Sequence, residues 1–231
     1  MPRSPDLVLW DEAERRFAAR HYDGGLLPGA ALALPMGSRA APLFTAPHAV
    51  NHCRAGNTKL ADRGTGGLAL ALHAQAGTGA LVAEHDGFGD ANYDTRHPLK
   101  DLLAAIAPRA VIDLHGMAGR DRHPDVSIGT AHNARLGAPL ASLASKLLEA
   151  HSLVVGVDER FDASRPSTIT RTAHELGIPA IQLEIAPGLR PPLWEREPPR
   201  ARALFAALVS LASLAFALPQ PLPYRPGPPR R

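Results

Sequence analysis

Apolar residues in this chain gather into short continuous runs rather than strict alternation. Ala41–Ala46 (APLFTA), Ala80–Glu84, Ala110–Leu114 (AVIDL), Asp125–Ile128, Leu153–Val157 (LVVGV) and Pro179–Ile185 (PAIQLEI) predict strands. Between them, Thr65–Ala76 (TGGLALALHAQA), Leu99–Ala107, Asn133–His151 and Ser167–Leu176 predict helices. Pro108 stops the second of these, Pro139 kinks or restarts the third, and Gly177 ends the fourth. A last helix is expected from about Glu195. Strands that are apolar throughout belong to a sheet covered on both faces. The pattern therefore predicts an α/β fold, a three-layer α/β/α arrangement around a mostly parallel or mixed central sheet. In such sheets ligands bind beyond the strand ends, which is where the polar residues of interest fall.

With no internal repeat and no dividing linker, the 231 residues read as one domain over 7–218. Residues 1–6 and the Pro- and Arg-rich tail 219–231 (PQPLPYRPGPPRR) read as peripheral. The longest apolar run, Ala203–Leu218, has sixteen residues and is broken by Ser210 and Ser213, whereas a bilayer span needs about 20. It is expected to be a buried helix. The start (MPRSPD) lacks the apolar stretch of a secretory signal, so a cytoplasmic protein with no membrane partner is expected. Lys+Arg 25 against Asp+Glu 22 gives +3, too small a bias to point to nucleic acid. The lone Cys53 removes intrachain disulfides and cysteine-rich metal sites, which leaves imidazole and carboxylate to hold any metal.

Candidate chemistry clusters at the predicted strand ends. His48 and His52 follow the first strand (PHAVNH), Asp62 precedes a helix (ADRGTG), and Asp113 and His115 close VIDLHG. Glu184 interrupts an apolar strand; a buried acid there must be paired, ligated or functional. Two imidazoles and a carboxylate, with a second carboxylate left free, suit a mononuclear catalytic zinc site. The spacing of His48 and His52 would suit a helical zinc motif, but Pro47 and its neighbours favour a turn. Asp62 could equally be a first-turn acid on the helix dipole. Gly64-Thr65-Gly66-Gly67 at a helix start is an alternative anion site, although no Walker lysine accompanies it. No G-x-S-x-G is present for a serine hydrolase.

In order along the chain, PHAVNH, ADRGTGGLA, GDANYD, VIDLHGM, PDVSIGT and IQLEI resemble the N-formylglutamate amidohydrolase family, a group of zinc-carboxypeptidase-like hydrolases, over about residues 41–190. ADRGTGGLA is also similar to the acid-x-G-T segment of zinc-dependent poly-γ-glutamate hydrolases. The resemblance implies a phosphorylase/hydrolase-like fold and one Zn2+, or another divalent ion, held by His48, Asp62 and His115, with His52 in reserve. Glu184 would be the proton shuttle as metal-activated water cleaves the C–N amide bond of an N-acyl amino acid or small peptide. Three departures stand out: Val50 replaces a glycine, Asp90-Ala91-Asn92-Tyr93 stands where the family carries D-L-N-R, and Ala186-Pro187-Gly188 follows the late strand where the family continues with an arginine. Arg96 is then the nearest basic candidate for a substrate carboxylate, with Arg54 and Arg120 as rivals, and Asn92 is a candidate for a substrate oxygen. The competing reading is a non-catalytic α/β protein that binds a metal or ligand without turnover.

Overall fold

A computed structural model describes residues 5–24, 29, 31–37, 41–119, 124–191 and 198–215. Arg120 and the tail 219–231 lie outside them. The order is α1 (Pro5–Ala18), β1 (Ala31–Leu34), β2 (Leu43–Ala46), β3 (His52–Arg54), β4 (Asn57–Lys59), α2 (Thr65–Ala76), β5 (Gly79–Ala83), α3 (Pro98–Ile106), β6 (Val111–Gly116), β7 (Val126–Gly129), α4 (Ala138–Ala150), β8 (Val155–Val157), α5 (Ile169–Glu175), β9 (Ala180–Ile185) and α6 (Pro198–Leu214).

Among the described residues, seven strands form a mixed sheet in the order β1-β5-β2-β6-β9-β7-β8. The central four, β5, β2, β6 and β9, run parallel. β1 is antiparallel to β5, and β7 is antiparallel to β9 while pairing parallel with β8. These four parallel strands are almost wholly buried, as their apolar sequences require. Two helical groups cover the faces: α1, α2, α6 and α4 pack in one contiguous set, and α3 with α5 in the other. The three layers match the expected architecture. Because β2, β6 and β9 are parallel, their C-terminal ends open at one edge of the sheet, and the chain leaves that edge through His48, His115 and Glu184.

The helix expected over 133–151 begins only at Ala138, after a turn at 134–137. Pro139 sits in its first turn, where its missing N–H costs no helical hydrogen bond. α1, β1 and the β3–β4 hairpin were not foreseen. α1 starts at Pro5 and buries Leu7, Trp10 and Phe17. The hairpin turns at Ala55-Gly56, both with positive φ, in a stretch that reads as loop because its strands are polar.

The bounds of α2 are those expected, but its glycine-rich start has an occupant. Its N-cap, Gly64, offers no side chain. Glu14 of α1 takes that place, accepting the N–H groups of Gly64 (2.7 Å) and Gly67 (3.0 Å) and the Tyr22 hydroxyl (2.8 Å). A Cβ on Gly67 would lie 2.6 Å from Glu14 Oε2, so glycine is required for this approach. Trp10 Nε1 donates to the Gly64 carbonyl (2.8 Å). The alternative of a phosphate at this helix end is therefore closed: the chain's own carboxylate fills it.

Candidate metal centre

His48 lies in the turn that follows β2, and its carbonyl accepts the Asp62 N–H (2.8 Å). Thr65, the first residue of α2, donates both its N–H (3.1 Å) and its hydroxyl (2.8 Å) to the Asp62 carbonyl. The Asp62 loop is thus fixed between the β2 exit and the α2 start. His115 is the fifth residue of β6 and pairs in register with Glu184 of β9. Asp113 and His115 share a face of β6, as strand alternation demands, with His115 Nε2 3.0 Å from Asp113 Oδ2.

Three atoms converge at this edge. His48 Nδ1 and His115 Nδ1 are 3.1 Å apart, and Asp62 Oδ2 is 3.3 Å from each. Tetrahedral zinc with bonds of about 2.0–2.1 Å places its ligand atoms about 3.3 Å apart, so the triangle has the edge length of one face of such a site. The opposite ring nitrogens are held by acids. His48 Nε2 faces Asp90 Oδ1 at 2.8 Å, and His115 Nε2 faces Asp113. When the rings are neutral, acids at Nε2 favour keeping the proton there and giving up the one on Nδ1, the arrangement that orients imidazoles toward a metal. Asp113 is itself held by Thr45, its register partner on β2, whose hydroxyl donates to Oδ1 at 2.6 Å.

The charges follow this geometry. Burial opposes charging of His48 and His115, but Asp62 and Asp90 hold His48 above its ordinary value, while Asp113 and Asp62 hold His115 well above it. Burial likewise opposes the Asp62 carboxylate, and hydrogen bonds from His115 and His48 overcome it, holding Asp62 well below the usual range. A donor set that concentrates protons in this way is one that a divalent cation can take over, releasing them. A second grouping, His48, His52 and Asp90, also has ligand atoms close together. There Asp90 already accepts from Arg54 Nε (2.5 Å), from the Asn92 N–H (2.8 Å) and faces His48, so a cation would have to displace a guanidinium. The trio of His48, Asp62 and His115 is the site the residues fit. His52 instead lies in β3 and stacks flat on His48, with ring centroids 4.3 Å apart.

Glu184, half-buried, faces the same cavity and accepts from Gln182 Nε2 at 3.0 Å. Burial pushes its carboxyl up, the Asp62 and Asp113 charges add to the rise, and His115 and His48 oppose it. The cavity holds about 430 Å³ and reaches from the three convergent groups to the 160–165 loop. Asn92 is on its wall, but its amide also has a local task. Its Oδ1 accepts the Ile169 N–H (2.8 Å), and its Nδ2 stands 2.8 Å from His115 Nε2. Arg96 is exposed, two residues before α3, and is not on the cavity wall; Arg54 is. Arg160 and Arg165 also reach the wall, and neither was singled out from the sequence. Both lie in a stretch (DERFDASR) without periodicity, so only the tertiary path of the chain brings them to the site. Asp90 was visible within GDANYD, but its reach to His48 was not.

Residues 93–189 match the N-formylglutamate amidohydrolase family model. The matched stretch contains Asp113, His115 and Glu184, whereas His48 and Asp62 precede it. The family resemblance read from the motifs is upheld. In solved structures, the chain is similar to an N-formylglutamate amidohydrolase from Ralstonia eutropha JMP134 (12% identity, 80% of this chain and 97% of that one, TM-score 0.56). It is also similar to an N-acetylmuramyl-L-alanine amidase from Mycobacterium smegmatis (12% identity, 78% and 97%, TM-score 0.50). At these identities the likeness is one of fold. No curated protein matches the chain in sequence. Among the described residues, no helix is long and apolar enough to cross a membrane.

Proposed function

We propose that this protein is a divalent-metal-dependent amidohydrolase that cleaves the C–N bond of an N-acyl amino acid or small peptide. The observation that carries the reading is the 3.1–3.3 Å triangle of His48, His115 and Asp62 beside a separate, half-buried Glu184. His48, Asp62 and His115 would hold a divalent ion, zinc by the donor set, which would supply polarisation of an amide carbonyl and acidification of water. Asp90 and Asp113 fix the two imidazoles. Glu184 accepts a proton from the attacking water at its carboxylate and returns it to the nitrogen of the leaving amine. Arg54, Arg160 and Arg165 line the cavity and would receive the carboxylate of the amino-acid portion, a task for which guanidinium is geometrically suited.

The test combines metal content, thermal midpoint and turnover of N-acyl amino acids on one preparation. Chelation should abolish hydrolysis and zinc should restore it. Glu184→Gln should keep the metal and fold yet lose about 10²–10⁴-fold in turnover. A folded, metal-loaded and fully active Glu184→Gln protein removes Glu184 from the mechanism. A metal-loaded wild type that turns over no amide leaves the non-catalytic binding reading in its place.

A further inference from the structure

We infer that the acyl portion of the substrate is an apolar chain of several carbons, seated in a second cavity that adjoins the arginine-lined one at Asp62. The inference rests on the amidohydrolase reading above. The second cavity holds about 390 Å³. Both cavities include Asp62, Gly116, Met117 and Ala118 in their walls, so they adjoin at one corner of the triangle. Beyond that junction their chemistry diverges.

The first cavity carries Arg54, Arg160, Arg165 and Asn92. Among the described residues, Ala61, Met117, Ala118, Pro187 and Pro191 give the second its apolar wall. Two arginines also border it: Arg63, an exposed residue at the rim, lies with its guanidinium over the Tyr22 ring, 5.2 Å from its centroid. Arg190 is buried and donates to the carbonyls of Ile185 (3.1 Å), Met117 (3.0 Å) and Arg63. Its guanidinium lies where a Cβ on Gly116 would be, so it is packed as part of the wall. A polar substituent placed against Ala61, Pro187 and Pro191 would leave water without partners, and an apolar one would not.

Size points the same way. A water occupies about 30 Å³ of liquid, and a formyl group is little larger, so it would cover only a small part of the apolar wall of this open cavity. A substrate spanning the junction would put its carboxylate among the arginines, its amide beside His48, Asp62, His115 and Glu184, and its acyl chain in the apolar cavity. Hydrolysis then breaks the C–N bond: the hydroxyl of water goes to the acyl carbon and a proton to the nitrogen. The products are an aliphatic carboxylic acid and a free amino acid.

The experiment uses the zinc-loaded full chain and an N-acylglutamate series: formyl, acetyl, butanoyl and hexanoyl. kcat/KM should rise along the series by about fourfold per methylene withdrawn from water. Calorimetry should show hexanoate binding more tightly than acetate. Ala61→Phe, which narrows the apolar cavity, should lower the hexanoyl-to-acetyl ratio of kcat/KM at least tenfold; Ala118→Leu is the second variant should the first not fold. A flat or falling series with measurable turnover overturns the inference and leaves the amidohydrolase reading intact. Preferential cleavage of γ-glutamylhexylamide, in which the apolar group is on the amine, overturns the assignment of the cavity to the acyl side. Absence of turnover on every amide overturns the amidohydrolase reading, and this inference with it.

Discussion

Asp90 is fully buried and still holds its charge, because His48, His52 and Arg54 surround it and together outweigh the burial that opposes ionisation. Its pKa lies well below the usual carboxylate range, so its contribution to stability is present above the unfolded value of about 3.9 and is lost as pH falls through the folded one. Asp90→Asn should therefore destabilise the protein at pH 7 by about 3–5 kcal/mol, the cost of breaking a buried charge pair from one side. The gap to wild type should begin to narrow as the pH drops below about 4, and thermal melts across pH 2–8 will show whether it does. At His115 the expectation differs. His115→Ala removes one corner of the triangle, so stoichiometric metal should be lost while circular dichroism stays native; full zinc occupancy in that variant would exclude the ligand set. The two histidines of the triangle were legible because each lies at or just past the end of a buried strand beside Pro47 or Gly116, and Asp62 because it precedes the glycine-rich start of α2. Asp90 as a hub was not, since GDAN reads as a turn and nothing local reveals that its carboxylate turns back 42 residues to His48.

The elements that sequence pattern identified best are those whose environment is uniform. β2, β5, β6 and β9 are buried on both faces and spell continuous apolar runs, and α2 is bounded by glycines with positive φ at Gly64 and Gly77. β1 is a four-residue edge strand of partly exposed residues, and α1 places an acid, Glu14, on its buried side, which masks the helical pattern. That acid is testable. Glu14→Ala leaves the Gly64 and Gly67 N–H groups buried without acceptors, at about 1–3 kcal/mol for each orphaned group. A lower thermal midpoint and faster amide exchange in the first turn of α2 are expected, with Glu14→Gln milder because an acceptor remains. An unchanged midpoint in Glu14→Ala would show that water replaces the carboxylate at no cost.

For the whole molecule, a cation in the His48–Asp62–His115 triangle joins the β2 exit, the α2 start and the end of β6. An ion that binds only the folded chain at about a hundred times its Kd adds about 2.7 kcal/mol. In a chain of this size that raises the thermal midpoint by about 5–10 °C. Zinc should produce that rise and chelator should remove it; a melt indifferent to both would leave the triangle as a cluster of ion pairs. The wide spacing of its donors along the chain also has a consequence in time. His48 and His115 are 67 residues apart and meet only once β2 and β6 lie side by side. In refolding from denaturant this triangle is expected to close late, after the barrier set by these long-range strand pairings. Stopped-flow mixing with zinc should then slow the unfolding limb of the chevron and leave the folding limb nearly where it is, so that the ion acts as a latch on a finished sheet rather than a seed for one.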